Sequence, residues 1–367
     1  MRQREIRALA GLRGIAAIQV MVYHFEWSVP VTGPFSAFLN HGYLCVDLFF
    51  ILSGFVMATV YGHWSGLGWT REKYYVFLAH RVARVYPLYA FLLGGIVIGF
   101  ATGLMSYPPV PTPRLLLTNL LLIQSLTCDE SINGPTWSIS TEWVVYLIFP
   151  GLLALTSRGR PVRALGLAFL CFAIIGGILA LSWSGNFGTR LRGALDVAGS
   201  PPALLRCFAG FTLGLLMWRA SKHQRVRDLL GGRWINAGLA ALALGLLFVP
   251  QGDAALYLLL PPLVLSFVVG EGRVVNLLGC RPMHFLGVLS YGIYLLHSRA
   301  QAVWSHLVHI GPGLGEIVQH LIATTVTGCL VIGLAWICYV AIEVPARKAV
   351  RLALEPRSLV STPAPST

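Results

Sequence analysis

One arginine and one histidine lie within the first long apolar stretch of the chain, residues 9–29. If this stretch is a helix, Arg13 and His24 are eleven steps of about 100° apart, so both side chains point the same way, about 16 Å apart. Histidine titrates near neutral pH and can act as a general base. An arginine inside a membrane helix costs about 2.5–3.5 kcal/mol on insertion scales, so it normally faces protein or water. The stretch therefore predicts either a functional pair or an interfacial arginine beside a structural histidine.

The composition indicates a chain that crosses a membrane several times. Hydrophobic residues make up 56% of its 367 residues and charged residues only 11%, whereas a soluble domain carries about 25% charged residues. The net charge of +13 then fits basic loops at the cytoplasmic face rather than a nucleic-acid partner. The seven cysteines show no CxxC pair and no metal-like spacing, so we interpret them as apolar packing residues and expect no metal.

Hydropathy predicts an all-α, polytopic integral membrane protein with about ten transmembrane helices. The N-terminus imitates a signal peptide but lacks a small-residue cleavage site, so we expect an uncleaved first helix. The apolar segment 115–126 is too short for a span and is expected to be re-entrant or interfacial. The ten predicted spans are residues 9–29, 42–62, 85–104, 136–156, 162–183, 203–218, 235–249, 254–270, 284–304 and 316–342.

The distribution of Lys and Arg predicts the orientation. With both termini in the cytoplasm, the inner segments hold 21 of the 27 basic residues. Treating 115–126 as a span would place the basic loop at 158–163 outside, against the positive-inside rule. We therefore expect a transmembrane domain over residues 1–348 and a disordered cytoplasmic tail over residues 349–367.

Four ionisable side chains share one predicted depth in this topology. Each lies about five to seven residues below the outer end of its helix, roughly 8–10 Å inside the boundary at about 1.5 Å per residue. A layer of titratable groups predicts a cavity in which protons move. The alternative is structural, with the aspartate paired to an arginine or the second histidine capped at the interface. The four are His24, Asp47, Glu142 and His297.

Two further arginines precede the third predicted span. Arg81 and Arg84 are spaced i, i+3 in the predicted cytoplasmic loop TREKYYVFLAHRVARVYPLY, and on a helix they would share one face. Each guanidinium offers a planar fork of donors, so the pair would suit an anionic phosphate ligand. A solvated positive-inside loop is the alternative interpretation.

Six stretches of the chain, in order, resemble the acyltransferase family 3 membrane proteins. This family O-acylates cell-surface polysaccharides, lipopolysaccharide, Nod factors and some antibiotics. The resemblance extends from Arg7 to about Lys348, although residues 161–282 match only in hydropathy, and no additional soluble hydrolase-like domain is expected after the tenth helix. The stretches are LAGLRGIAAIQVMVYH, CVDLFFILSGFVMA, FLAHRVARVYPLY, NGPTWSISTEWVVYLIFP, LSYGIYLLH and IEVPARK.

The resemblance implies how the donor would bind. Arg81 and Arg84 match the family's paired arginines, which are implicated in the use of acyl-CoA. The polyanionic nucleotide would stay at the inner face beside them, and its pantetheine arm would run past Arg13 toward His24. Ser53 matches the family's SGF element, a close-packing stretch, and we place it with the donor-binding residues.

The resemblance also implies the chemistry, with His24 as the catalytic residue. His24 would deprotonate the acceptor hydroxyl and later protonate the thiolate, with Glu142 or Asp47 orienting its ring. An acyl-histidine intermediate is the other route, and the sequence does not choose between them. Glu142 and Glu343 match acidic positions of the family, although Glu343 could simply hold the end of its helix.

The implied function is the transfer of an acyl group, most commonly acetyl, from cytoplasmic acyl-CoA to an acceptor at the outer face of a bacterial inner membrane. The acceptor would be a polysaccharide, a lipid-linked sugar or a secondary metabolite. A proton-coupled transporter of a small solute could use the same polar layer. A transporter would not need the paired arginines or the ordered motifs, so it is the second interpretation.

Overall fold

The computed structural model describes residues 2–25, 34–104, 111–185, 193–198, 201–307 and 315–354. Within these ranges the chain is helical and contains no β-strand, which confirms the predicted all-α class. Helices satisfy every backbone hydrogen bond internally, as an apolar chain in a bilayer requires.

The described helices fall into long apolar segments joined by shorter ones. Two 3₁₀ turns cover His41–Tyr43 and Gly134–Thr136, and a π-helical turn covers Tyr339–Glu343. The α-helices are α1 (Arg2–Phe25), α2 (Pro34–Asn40), α3 (Leu44–Tyr61), α4 (Trp64–Leu67), α5 (Arg71–Ala101), α6 (Pro113–Leu120), α7 (Gln124–Thr127), α8 (Trp137–Ser157), α9 (Pro161–Trp183), α10 (Pro201–Ala220), α11 (Gln224–Leu230), α12 (Arg233–Leu246), α13 (Asp253–Val269), α14 (Arg273–Leu278), α15 (Arg281–Leu307), α16 (Glu316–Cys338) and α17 (Val344–Leu354).

Seven described segments are long and apolar enough to cross a membrane, and the bent pair of α11 and α12 would make eight. The remaining predicted spans coincide with α12 and α13, which are 14 and 17 residues long, and with α15, which carries polar residues along its length. The count of ten spans and the orientation of the termini therefore stay predictions. The segment predicted to be re-entrant or interfacial forms the short helices α6 and α7.

The prediction of a loop before the third span is wrong, because this segment is part of α5, one helix of 31 residues. The helix starts where the Thr70 hydroxyl accepts a hydrogen bond from the Lys73 amide, a typical N-cap. Apolar side chains of its first half, including Val76 and Phe77, are buried, so the basic segment packs on the bundle instead of entering solvent.

The predicted tail boundary also differs. Helix α17 continues past residue 348 to Leu354, and residues 355–367 lie outside the described ranges.

Small residues bring α1 and α15 into backbone contact. A Cβ atom on Gly14 would lie 2.7 Å from the Gly287 nitrogen, and one on Gly287 would collide with the Ala10 carbonyl. Membrane helices associate through close van der Waals packing, which such residues permit. Farther along, the Gln301 side chain of α15 donates to the Met21 carbonyl of α1 at 3.2 Å. The two helices therefore run side by side over most of their length.

A second glycine contact joins α3 to α10. A Cβ atom on Gly54 would collide with the Phe211 carbonyl, and one on Gly214 would collide with the Ile51 carbonyl. Gly54 is the glycine of the SGF element, so the close-packing role expected for that stretch has a defined partner in α10. This contact fixes the helix that carries Asp47 and Ser53.

We predict that Gly287→Ala destabilises the protein by about 1–3 kcal/mol, because the added methyl group must push α15 away from α1. Gly94→Ala in α5 is the matched control, since a Cβ atom there meets nothing within 4 Å and alanine favours helix. Thermal unfolding of the two purified variants in detergent would measure the difference. Equal stability of both variants would show that the α1–α15 contact tolerates separation.

Candidate active site

A cavity of about 300 Å³ lies between α1, α3, α5, α8, α15 and α17. Residues that are far apart in the sequence meet on its wall, and most of the predicted site residues are among them. Apolar and aromatic side chains such as Phe49, Phe50 and Tyr294 cover the rest of the surface. The charged and hydroxyl groups on the wall include Arg13, Ser53, Arg81, Arg84, Glu142 and Arg347.

Aromatic rings hold the predicted arginine pair in place. The Arg81 guanidinium lies over the rings of Tyr61 and Tyr146, at 5.7 and 5.8 Å from their centroids. The Arg84 guanidinium lies 5.5 Å from the centroid of Tyr291. Stacking on an aromatic face orients a guanidinium and leaves its N–H edge available to other acceptors. The i, i+3 spacing thus puts both arginines on the cavity wall.

A third arginine joins this pair through a shared carboxylate. Buried Glu343, at the end of the π-helical turn, accepts from Arg347 at 2.8 Å and from Arg84 at 3.4 Å. Glu343 therefore links α17 to α5. This contact agrees with the interpretation of Glu343 as a residue that holds the end of its helix. Arg347 was not among the predicted site residues, although its i, i+4 spacing from Glu343 within IEVPARK is a signal for this contact.

The Glu142 carboxylate belongs to a hydrogen-bond chain on the cavity wall. The Tyr146 hydroxyl donates to Glu142 at 2.6 Å. The Ser53 hydroxyl lies 3.0 Å from the same tyrosine oxygen and donates to it, because the tyrosine proton is already used. Ser53 and Glu142 are thus brought together, beside the arginines.

Asp47 is engaged elsewhere, in a buried ion pair with Arg206 of α10. Its two carboxylate oxygens accept from the guanidinium at 2.6 and 3.2 Å. Arg206 also donates to the Val197 carbonyl at 3.0 Å. Asp47 thus has the pairing with an arginine that was the structural alternative for this residue.

The two histidines of the predicted layer lie against each other. His24 Nδ1 is 2.8 Å from the Val20 carbonyl oxygen and 3.2 Å from His297 Nε2, with ring centroids 4.7 Å apart. The His297 ring is 5.8 Å from that of Tyr294, which lines the cavity. One end of the cavity is therefore a single side chain away from the histidine pair. The four residues of the predicted layer therefore lie in three separate groups: the two histidines together, Asp47 with Arg206, and Glu142 with Tyr146.

The fold and this site define an α-helical, multi-pass membrane protein with an arginine-walled internal cavity. Comparison with known families makes the class specific. A family model described as an acyltransferase domain matches residues 6–340, so the chain belongs to acyltransferase family 3. The predicted family is confirmed, and the matched region contains five of the six stretches; IEVPARK, at residues 342–348, follows it.

Three relatives illustrate the range of the family. The chain is 25% identical to "Putative peptidoglycan O-acetyltransferase YrhL" of Bacillus subtilis, over 94% of this chain and 55% of that protein. It is 34% identical to "Acyltransferase MdmB" of Streptomyces mycarofaciens, over 43% and 41% of the two chains. It is 29% identical to "Exopolysaccharide production protein ExoZ" of Rhizobium meliloti, over 82% and 88%. The chain spans about half the length of the first two.

We predict that Asp47→Asn destabilises the protein by about 3–5 kcal/mol, because it leaves the Arg206 charge buried without a counter-ion. The double variant Asp47→Asn, Arg206→Met should recover much of this loss. Asp228→Asn is the control, since Asp228 lies exposed on α11. Thermal unfolding and the yield of monodisperse protein would measure both. If Asp47→Asn stays fully stable but loses acyl transfer, Asp47 takes part in the chemistry instead.

Proposed function

We propose that this protein transfers an acyl group, and in particular acetyl, from cytoplasmic acyl-CoA to a hydroxyl group of a glycan or glycoconjugate at the outer face of a bacterial cytoplasmic membrane. The observation that supports this best is the cavity, where separate stretches of a family 3 acyltransferase gather arginines at one end and approach a histidine pair at the other. The names of the relatives, a peptidoglycan O-acetyltransferase and an exopolysaccharide production protein, agree with a glycan acceptor.

In this proposal the arginine end of the cavity receives the donor. Acyl-CoA carries several phosphate charges, and Arg81, Arg84 and Arg347 present guanidinium groups on one wall. Charge-assisted hydrogen bonds of this kind contribute about 1.5–3 kcal/mol each. The uncharged pantetheine arm is thin enough to follow the cavity past Arg13 toward Tyr294. The thioester would then approach the histidines from the cytoplasmic side.

His24 would carry out the transfer. In the direct route, a ring nitrogen takes the proton of the acceptor hydroxyl while the oxygen attacks the thioester carbonyl. The carbon–sulfur bond breaks, and the thiolate takes the proton back from the imidazolium. In the covalent route, the same nitrogen attacks the thioester carbonyl, the carbon–sulfur bond breaks and the thiolate leaves. The acceptor oxygen then attacks the acyl group, the carbon–nitrogen bond breaks, and the hydroxyl proton passes to the thiolate. Both routes return neutral His24 and free thiol.

The proposed roles of the two acids follow their contacts. Glu142 would act from the cavity wall, where Tyr146 holds its carboxylate near the donor path. Asp47 would act through Arg206, by fixing α3 against α10. A proton-coupled transporter is not favoured, because the chain belongs to a family of acyltransferases.

We predict that His24→Ala lowers acyl transfer by about 10²–10⁴-fold, the usual contribution of an essential general base, while expression stays normal. His223→Ala, in an exposed turn, is the control. Labelled acetyl-CoA would be supplied outside inverted membrane vesicles, whose lumen corresponds to the outer face and is loaded with peptidoglycan fragments and exopolysaccharide as acceptors. Retention of more than about a tenth of the wild-type rate would assign His24 a structural role.

We predict that the double variant Arg81→Ala, Arg84→Ala weakens CoA binding at least tenfold, because it removes two charge-assisted contacts. Arg347→Ala should weaken binding as well. Lysine replacements should restore it only in part, since an ammonium cannot reproduce a two-pronged contact. Lys348→Ala is the matched control, because this neighbouring side chain is exposed. Titration of the purified variants with CoA would measure each dissociation constant.

The sidedness of the reaction is tested with the same proteins in oriented vesicles. Labelled acetyl-CoA given only at the cytoplasmic face should support transfer, and the same donor given only at the outer face should not. Transfer from the outer face, or unchanged CoA binding by the double arginine variant, would contradict the proposed donor site.

A further inference from the structure

We infer that His297 is the orienting partner of His24, the role that a carboxylate fills in a hydrolase triad. His297 accepts a hydrogen bond from Nδ1 of His24 and stabilises the imidazolium that forms when the opposite nitrogen takes a proton. The inference rests on the proposed acyl transfer for its catalytic meaning, although the contact itself can be tested without any acceptor.

The geometry assigns the protons. A carbonyl oxygen can only accept, so the 2.8 Å contact with Val20 requires a hydrogen on Nδ1 of His24. The neutral ring then has its lone pair on Nε2, the nitrogen that acts as base or nucleophile. Because His297 Nε2 lies 3.2 Å from the same Nδ1, it is the second acceptor. His297 therefore carries its own proton on its Nδ1.

The surroundings of His297 are those of a functional group rather than of a packing residue. The side chain is fully buried on α15. Its Nδ1 makes no well-aligned hydrogen bond among the residues that the structure describes, although the backbones of Ile293 and Tyr294 lie close to the ring. A buried polar atom left in this way costs about 1–3 kcal/mol, and an intramembrane ionisable residue is a functional candidate by default. Leucine would fill the same space without that cost.

The two acids predicted to orient His24, Asp47 and Glu142, contact other side chains among the described residues. Asp47 places both carboxylate oxygens on Arg206, and Glu142 accepts from Tyr146. In a triad the third group fixes the imidazole tautomer and its direction. A hydrogen bond from Nδ1–H also makes the opposite nitrogen more basic. A neutral histidine provides both effects without placing another negative charge near the path of an anionic donor.

The neighbouring helix contact provides a matched control. Gln301, one helical turn beyond His297 on α15, also joins α15 to the α1 backbone, by its bond to the Met21 carbonyl. This hydrogen bond also joins α15 to α1, but its acceptor is a backbone carbonyl and not the His24 imidazole. Comparing the two positions separates the orientation of His24 from the general attachment of α15 to α1.

The kinetic test compares His297→Leu, His297→Gln and Gln301→Leu. We expect His297→Leu to lower kcat by about 10–100-fold while the donor KM stays within about twofold. His297→Gln should recover most of the rate, because its amide oxygen reaches the position of Nε2. Gln301→Leu should keep kcat. Equal rates for His297→Leu and wild type, or parallel losses of rate and folded protein at both positions, would overturn the inference.

A second test measures the reactivity of His24 directly. Diethyl pyrocarbonate acylates a histidine when the ring nitrogen attacks its carbonyl carbon and ethyl carbonate leaves, and peptide mass spectrometry gives the rate at His24. We expect at least fivefold slower labelling in His297→Leu, recovery in His297→Gln and no change in Gln301→Leu. If His297→Leu does not fold, His297→Asn, whose amide is too short to reach the Nε2 position, replaces it with the same expected loss.

The outcomes also separate this inference from the proposed function. Slower labelling in the His297 variants, in a protein that acetylates none of the glycans supplied, would support the histidine pair and contradict the proposed function. Normal acetyl transfer with unchanged labelling in those variants would support the proposed function and contradict the inferred role of His297.

Discussion

The backbone contact between α1 and α15 is the constraint on which the site depends. In a bilayer, lipid tails are as apolar as leucine, so helices gain little from burying apolar side chains and associate through close packing. Gly14 and Gly287 allow that approach. Because both helices are long, the alignment set by these glycines is carried to the far end, where His24 and His297 meet. The same alignment brings Arg13 to the cavity wall. A larger residue at the crossing would therefore disturb two distant places at once.

The polar groups of the bundle are segregated along its axis. Guanidinium groups gather where α5 and α17 meet, and the histidines lie beyond Tyr294 at the other end. Charges inside a protein interact more strongly than in water, so the arginines on the cavity wall favour an anion at their end of the cavity. The carboxylates of Glu142 and Glu343 offset part of the positive charge when the cavity holds no anion. In the proposed function, donor binding and acyl transfer would therefore take place at separate positions along one path.

Helical periodicity predicted much of this site, because it relates residues within one helix. It placed Arg13 and His24 on one face of α1 and Arg81 and Arg84 on one face of α5. It could not identify partners on other helices. Arg206 lies outside the six stretches on which the resemblance was based, so the pairing with Asp47 had no sequence signal beyond charge. The distance of a residue from the end of its helix does not say toward which neighbouring helix its side chain points. For this reason Glu142 was predicted in one layer with His24, although its carboxylate lies beside the arginines. The many basic residues at the start of α5 suggested a loop, because they lowered the hydropathy of a segment that also has a buried apolar face.

The pairing of Asp47 with Arg206 has a consequence for biogenesis. The two residues are 159 positions apart in the chain, and ribosomes add about 5–20 residues per second. The carboxylate is therefore made roughly 10–30 s before its guanidinium. During that interval α3 carries an acid whose transfer into lipid is costly and whose partner has not yet been made. Arrival of α10 neutralises the acid and lets α3 settle against it. The ion pair therefore makes the stability of α3 in the membrane depend on a helix that is synthesised much later.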